Sequence, residues 1–132
     1  MASSPHLSTF ETYQSAWAIG LSADERQLLL RQSVAEDCVY EDPGIACRGH
    51  AELTAKIEDA NRKGPGATFR NDSFFSHHEK AVVNWTMFDG AGNQYAKGAS
   101  YVQFGADGRL TYMTGFYDPP TRPFGRGPGE RA

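Results

Sequence analysis

The chain has 132 residues, of which 39% are hydrophobic and 22% charged, and its formal net charge is −3. This length is enough for one domain with a core of its own and too short for two. The negative charge and the scattered basic residues argue against a nucleic-acid partner, because phosphate binding needs clustered Lys and Arg.

The sequence also argues against a membrane partner. No apolar run approaches the roughly 20 residues that a spanning helix needs. The first residues have neither the basic start nor the apolar stretch of a signal peptide, so we expect a cytoplasmic protein. Cys38 and Cys47 are expected to be free and buried, with a local disulfide or a reactive thiol as the alternative.

Two short helices are predicted at the start of the chain. Ser8 and Glu11 have the spacing of a capping box, so a first helix should begin there and end before Gly20. Ser22 and Glu25 form a second box that starts the next helix. The apolar residues that recur at helical spacing are Phe10, Tyr13 and Trp17 in the first helix, and Leu28, Leu29 and Val34 in the second.

The next segment combines a strand and a helix. Val39-Tyr40 predicts a short strand that ends at Pro43. A third helix should follow Gly49 and end at the "KGPG" stretch of residues 63–66. Leu53, Ile57 and Ala60 lie on one side of this helix.

The rest of the chain predicts antiparallel sheet. Four strands separated by glycine-rich turns are expected at residues 67–78, 80–88, 94–104 and 109–117, the first of them bent near Asn71-Asp72. Helices packed on one face of such a sheet define the α+β class. Residues 1–120 should form a single domain, and the Pro-, Gly- and Arg-rich residues 121–132 a mobile tail.

Four motifs support a family resemblance over roughly residues 8–119: "VYEDPGI", "RGHAELTAKI", "FGADGRL" and "GFYDP". On these motifs the chain resembles the nuclear transport factor 2-like superfamily, and within it the ketosteroid isomerases and the SnoaL-like polyketide cyclases. The resemblance implies a curved antiparallel sheet wrapped around N-terminal helices, which forms a cone with an apolar pocket.

The resemblance also implies roles for three residues. Asp42 corresponds to the aspartate that ketosteroid isomerases use as the base beside a carbonyl group. Tyr13 corresponds more loosely to their tyrosine oxyanion donor. Ser100 stands where they have a protonated aspartate as the second donor. Because one oxyanion donor contributes about 3 to 4 kcal/mol, this replacement argues against faithful steroid isomerase activity.

Local sequence leaves two interpretations of Asp42 open. Asp before Pro and Gly commonly stabilises a turn, whereas a catalytic base needs a positioned carboxylate in a dry pocket. Glu41 should point to the opposite side of the strand, into solvent. Tyr13 and Trp17, one helical turn apart, are either core residues or a pocket donor and its wall.

Further candidates lie on the long strands. Val82, Asn84, Thr86 and Phe88 share one face of their strand, and Gly98, Ser100 and Val102 share one face of the next. If both faces line the pocket, Asn84 and Ser100 would orient a substrate; otherwise Trp85 and Met87 are buried instead. The predicted substrate-binding residues are Trp17, Asn84, Thr86, Phe88, Met113 and Tyr117, and Asp118 is a second acid/base candidate.

Together these features predict a cofactor-free enzyme that acts on a hydrophobic carbonyl compound through an enolate, by isomerisation, cyclisation or dehydration. The alternatives are a non-catalytic protein that binds a small hydrophobic ligand, and a dimerisation module. A homodimer through the outer sheet face is expected. No metal site is expected, because adjacent strand residues such as His77 and His78 should point to opposite faces.

Overall fold

A computed structural model describes residues 4–127 of the chain. Its elements are α1 (Pro5–Ser15), α2 (Ala23–Ser33), β1 (Val34–Asp42), β2 (Ile45–Arg48), α3 (Gly49–Lys63), β3 (Thr68–His77), β4 (Lys80–Phe88), β5 (Gln94–Phe104) and β6 (Leu110–Tyr117). The strands form one curved, unclosed sheet in the order β2-β1-β6-β5-β4-β3. Only the β1–β6 pair among them is parallel. The predicted α+β class is confirmed.

The first helix begins earlier than predicted. Ser4 is its N-cap and accepts a hydrogen bond from the Leu7 amide at 3.0 Å, with Pro5 at the first helical position. This arrangement satisfies the helix start, so Ser8 lies inside α1 and not at its cap. The second prediction is confirmed, because Ser22 and Glu25 form a reciprocal capping box.

The buried side of α2 differs from the predicted stripe. Leu28 is exposed, whereas Leu30 and Arg26 are buried. The Arg26 guanidinium donates to the carbonyl oxygens of Ala16 at 2.9 Å and Ala18 at 3.0 Å, which follow the last turn of α1. Because these carbonyls need donors, α2 turns its arginine inward and leaves Leu28 outside.

The region after α2 contains more sheet than predicted. β1 follows α2 directly and runs for nine residues, and β2, which was not predicted, pairs antiparallel with it. β2 has only four residues, too few to show a clear period. The third helix is confirmed, and Gly49 at its start has a φ of +84°, which favours glycine.

The four long strands are confirmed, including the register shift between Asn71 and Ser73 that bends β3. One detail at the β3–β4 turn corrects the prediction for the histidines. His78 belongs to the turn, with a φ of 47°, and not to the strand. The Nδ1 atoms of His77 and His78 consequently lie 3.0 Å apart and do not point to opposite faces.

The core lies between the helices and the inner face of the sheet. Its fully buried aliphatic residues are Leu30, Val34, Leu53, Ile57, Val83, Val102 and Leu110. Cys38 and Cys47 are free and buried, as expected. Within residues 4–127, no helix is long and apolar enough to cross a membrane.

The segment after β6 packs against the β4–β5 hairpin through Asp89. This buried carboxylate accepts hydrogen bonds from four groups: the amides of Ala91 (3.0 Å), Asn93 (3.0 Å) and Gly125 (3.2 Å), and the Arg122 guanidinium (2.9 Å). Burial opposes ionisation, but the hydrogen bonds from Asn93 and Arg122 outweigh it and hold the pKa of Asp89 below its usual range. Residues 128–132 of the predicted tail lie outside the described residues.

Candidate functional site

A cavity of about 250 Å³ lies between the inner face of the sheet and helices α1 and α3. Its apolar wall includes Phe10, Trp17, Phe69, Trp85, Met87 and Met113. Its polar groups come mainly from Asp42, Lys56 and Ser100 and from the tyrosines Tyr13, Tyr40 and Tyr117. A mostly apolar cavity with a few converging polar groups is typical of a small-molecule site.

The two oxygens of Asp42 have different partners. Oδ1 accepts hydrogen bonds from the amides of Gly44 at 2.8 Å and Ile45 at 3.1 Å, so it stabilises the turn between β1 and β2. Oδ2 accepts from the Tyr40 hydroxyl at 2.7 Å and lies 3.3 Å from the Lys56 ammonium. Only 2% of this side chain is exposed. Asp42 therefore combines both interpretations of the sequence, because one side chain stabilises the turn through Oδ1 and lines the cavity.

Lys56 and Tyr40 are site residues that the sequence prediction missed. Tyr40 precedes Asp42 by two positions in β1, and strand periodicity alone puts both on one face. Lys56 lies on α3 next to Leu53 and Ile57, where it interrupts the buried side of the helix. A single lysine on an apolar helix face was therefore the available signal.

The tyrosines around Asp42 are hydrogen-bond donors at neutral pH. Burial raises the pKa of Tyr13, Tyr40 and Tyr117 above the usual tyrosine range. The nearby Asp42 carboxylate adds to this effect at all three, since a second negative charge is unfavourable there. Each phenol therefore keeps its proton.

Ser100 also lines the cavity, and β6 separates its strand from the strand that carries Asp42. It lies on β5 opposite Val83 of β4 and Gly115 of β6. Its Oγ accepts a hydrogen bond from the indole Nε1 of Trp85 at 3.0 Å. The parallel register of β1 and β6 puts Asp42 near Gly115, so Asp42 and Ser100 flank a position that has no side chain.

Three predicted substrate-binding residues lie on the outer face of the sheet, which corrects the sequence prediction. Ser100 pairs with Val83, so Asn84, Thr86 and Phe88 point away from the cavity. Their contacts are with other side chains: Asn84 donates to Ser73 at 2.7 Å, Thr86 to Asp72 at 2.7 Å, and Arg70 lies over the Phe88 ring at 5.3 Å. Trp85 and Met87 line the cavity instead, which is the alternative left open above.

The other predicted site residues also fall into two groups, those that line the cavity and those that lie outside it. Tyr13, Trp17, Met113 and Tyr117 line the cavity. Asp118 follows the end of β6 and is outside the cavity lining. Glu41 points away from the cavity as expected, but it accepts a hydrogen bond from Tyr112 at 2.6 Å rather than facing solvent alone.

Comparison with known proteins relates this architecture to a family. The family model described as "SnoaL-like domain" matches residues 23–113. A solved structure from Agrobacterium tumefaciens strain C58, provisionally named an isomerase of the SnoaL-like family, has a TM-score of 0.79 and 29% identity. The alignment covers 87% of this chain and 98% of that one. No curated protein sequence matches the chain.

Two further solved structures share the fold. A protein of unknown function from Methylobium petroleophilum PM1 has a TM-score of 0.71 and 19% identity, over 92% of this chain and 81% of that one. A protein from Sinorhizobium meliloti, provisionally named a polyketide cyclase, has a TM-score of 0.66 and 16% identity, over 82% and 93%. At these identities the likeness concerns the fold alone.

Proposed function

Because the chain belongs to the SnoaL-like domain family, we propose that it is a cofactor-free enzyme that acts on a small hydrophobic carbonyl compound. Asp42 removes a proton from the carbon next to the carbonyl group and generates an enolate. The observation that carries this proposal is the Asp42 carboxylate, which is 2% exposed and sits in an aromatic-lined cavity. A carboxylate that is held in place at the wall of a mostly apolar cavity is suited to the role of general base.

The contacts of Asp42 support the role of base. Oδ1 is fixed by two backbone amides of a tight turn, and this fixes the direction of Oδ2 toward the cavity. Oδ2 takes the proton and the electrons of the C–H bond move to the carbonyl oxygen. Catalysis by a prepositioned group avoids the entropic cost of bringing base and substrate together.

The developing enolate oxygen needs donors, and the cavity contains several. Lys56 is held to Asp42 by a contact of 3.3 Å on a flexible stem, so its ammonium group can move to a substrate oxygen and free Oδ2. Ser100 carries a hydroxyl that also lines the cavity. Donors directed at developing charge are a major source of catalysis.

The fate of the enolate defines the reaction. The proton on Asp42 is returned to another carbon in isomerisation, to the alkoxide formed by attack on a second carbonyl in cyclisation, or to a neighbouring hydroxyl that leaves as water in dehydration. The provisional names of two structural neighbours, an isomerase and a polyketide cyclase, belong to the same type of chemistry.

Proton exchange tests the proposal without knowledge of the natural substrate. A panel of cyclic ketones is incubated with the protein in deuterium oxide, and deuterium uptake next to the carbonyl is followed by NMR. We expect exchange that Asp42→Asn abolishes and that Asp59→Asn, on α3 outside the cavity lining, leaves unchanged. Equal exchange by the wild type and Asp42→Asn would show that Asp42 is not the base.

A non-catalytic binding protein is the second candidate, and one observation favours it. A carboxylate has about four acceptor positions, and all four on Asp42 have partners within the protein. If Lys56 does not leave Oδ2, no proton can be removed there. Saturable binding of hydrophobic phenols without any deuterium uptake would establish this function.

A further inference from the structure

The indole of Trp85 crosses β5 where that strand has no side chain. Trp85 on β4 pairs with Gly98 on β5. A Cβ atom at position 98 would lie 2.5 Å from Cζ2 and 2.6 Å from Cη2 of the indole, and 2.5 Å from the Phe116 carbonyl oxygen. Such distances are far below van der Waals contact, so this orientation of Trp85 requires glycine at position 98.

Two aromatic neighbours make edge contacts with the indole. The Phe69 ring lies 5.7 Å from it at 78°, and the Tyr117 ring lies 5.8 Å from it at 62°. Edge contacts of this kind stabilise aromatic pairs beyond the burial of the rings. The indole therefore has one preferred orientation.

In that orientation, the indole nitrogen determines how Ser100 is hydrogen-bonded. Nε1 lies 3.0 Å from Ser100 Oγ. An indole N–H can only donate, so the serine oxygen must be the acceptor. Among the described residues, the structure shows no protein acceptor for the serine proton, and Ser100 lines the cavity.

We propose that Trp85 is a positioning residue that directs the Ser100 hydroxyl proton toward the substrate oxygen. This inference rests on the proposed function, in which Ser100 donates to that oxygen. The indole occupies one lone pair of Oγ and so restricts rotation of the hydroxyl. A hydroxyl that accepts a hydrogen bond is also a better donor, because successive hydrogen bonds polarise one another.

A double-mutant cycle tests the proposal, with para-nitrophenol as the ligand because its oxygen resembles that of an enolate. Dissociation constants are measured for the wild type, Trp85→Phe, Ser100→Ala and the double variant. We expect Ser100→Ala to weaken binding about three- to tenfold, as for one hydrogen bond. Trp85→Phe should weaken binding by a larger factor in the wild type than in Ser100→Ala, where only its contact as part of the cavity wall is lost. A Trp85→Phe effect that is equal in both backgrounds, or absent, overturns the proposal.

A second measurement does not depend on the stability of the Trp85 variant. The chain has two tryptophans, Trp17 and Trp85, and hence two indole N–H signals in nitrogen-15 NMR spectra. We expect Ser100→Ala to move the Trp85 signal upfield while the Trp17 signal stays, and para-nitrophenol to move the Trp85 signal downfield. A Trp85 signal that is indifferent to Ser100→Ala overturns the proposal.

The two proposals fail in different ways. If the cycle and the spectra behave as expected while Asp42→Asn leaves deuterium uptake unchanged, Trp85 still positions Ser100 and only the catalytic role of Asp42 is wrong. If deuterium uptake depends on Asp42 but Trp85 and Ser100 act independently, the positioning role is wrong and the enzyme remains.

Discussion

Replacing Asp42 with asparagine should destabilise the protein through Lys56. The amide has nearly the same shape as the carboxylate, and its oxygen can still accept from the amides of Gly44 and Ile45. Its NH₂ group would then occupy the place of Oδ2, facing Lys56. The Lys56 side chain would then lie at an apolar cavity without its counter-ion.

The size of the effect follows from the geometry. At 3.3 Å and an effective dielectric constant of about 20, the attraction is about 5 kcal/mol, and breaking buried pairs costs about 3 to 5 kcal/mol. Lys56 remains 20% exposed and can turn toward water, so we expect a loss of about 2 to 3 kcal/mol. For a chain of this size, that lowers the unfolding midpoint by roughly 6 to 12 °C.

Calorimetry and urea unfolding of four proteins measure this loss: the wild type, Asp42→Asn, Lys56→Met and the double variant. Lys56→Met in the Asp42→Asn background should restore most of the lost stability, because it removes the unpaired charge. If the two single effects add to within about 0.5 kcal/mol, Asp42 and Lys56 do not interact and our reasoning about the pair is wrong.

Three further predictions concern other parts of the molecule. Folding lowers the pKa of Asp89, so this residue stabilises the protein above its unfolded pKa of about 3.9, and the stabilisation is lost as pH falls through the folded pKa. Asp89→Asn should therefore flatten the acid side of a curve of unfolding free energy against pH. An unchanged curve would refute this prediction. Gly98→Ala should lower the free energy of unfolding by about 1 to 3 kcal/mol through overpacking. Gly115→Ala should be tolerated, because its Cβ would meet only Ser100 Oγ, at 3.8 Å. Urea unfolding of both variants tests this, and equal losses of stability would contradict it. Phe75 and Phe116 lie on the outer face of the sheet and are 67% and 61% exposed. We propose that this face forms the interface of a homodimer. Phe116→Asp should then halve the mass measured by sedimentation equilibrium, and a monomeric wild type would exclude the dimer.

The long strands and α3 could be predicted because their signals are local. Alternating residues, glycine-rich turns and the "KGPG" stop each act within a few positions. The start of α1 could not be chosen in this way, because Ser4 and Ser8 both offer a cap and only Pro5 at the first helical position separates them. β2 is too short to have a recognisable pattern.

Which face of the sheet each site residue occupies depends on how the strands pair, and local sequence patterns do not determine that pairing. In β4, the sets containing Asn84 and Trp85 are equally plausible inner faces by alternation alone. The choice follows from register, because Ser100 pairs with Val83 and therefore shares a face with Trp85. Lys56 was missed for a similar reason, since its partner Asp42 is on another element.

The "EDPG" stretch gives the turn between β1 and β2 a direct effect on the cavity. The amides of Gly44 and Ile45 hold Oδ1, and this contact aims Oδ2 at Tyr40 and Lys56. A carboxylate on a free rotamer would lose part of its catalytic advantage to conformational entropy. The turn therefore does more than connect two strands, because the same backbone donors that stabilise it also fix the direction of the candidate base. This explains why a turn-forming aspartate and a pocket carboxylate are indistinguishable in the sequence: one hydrogen-bonded geometry satisfies both.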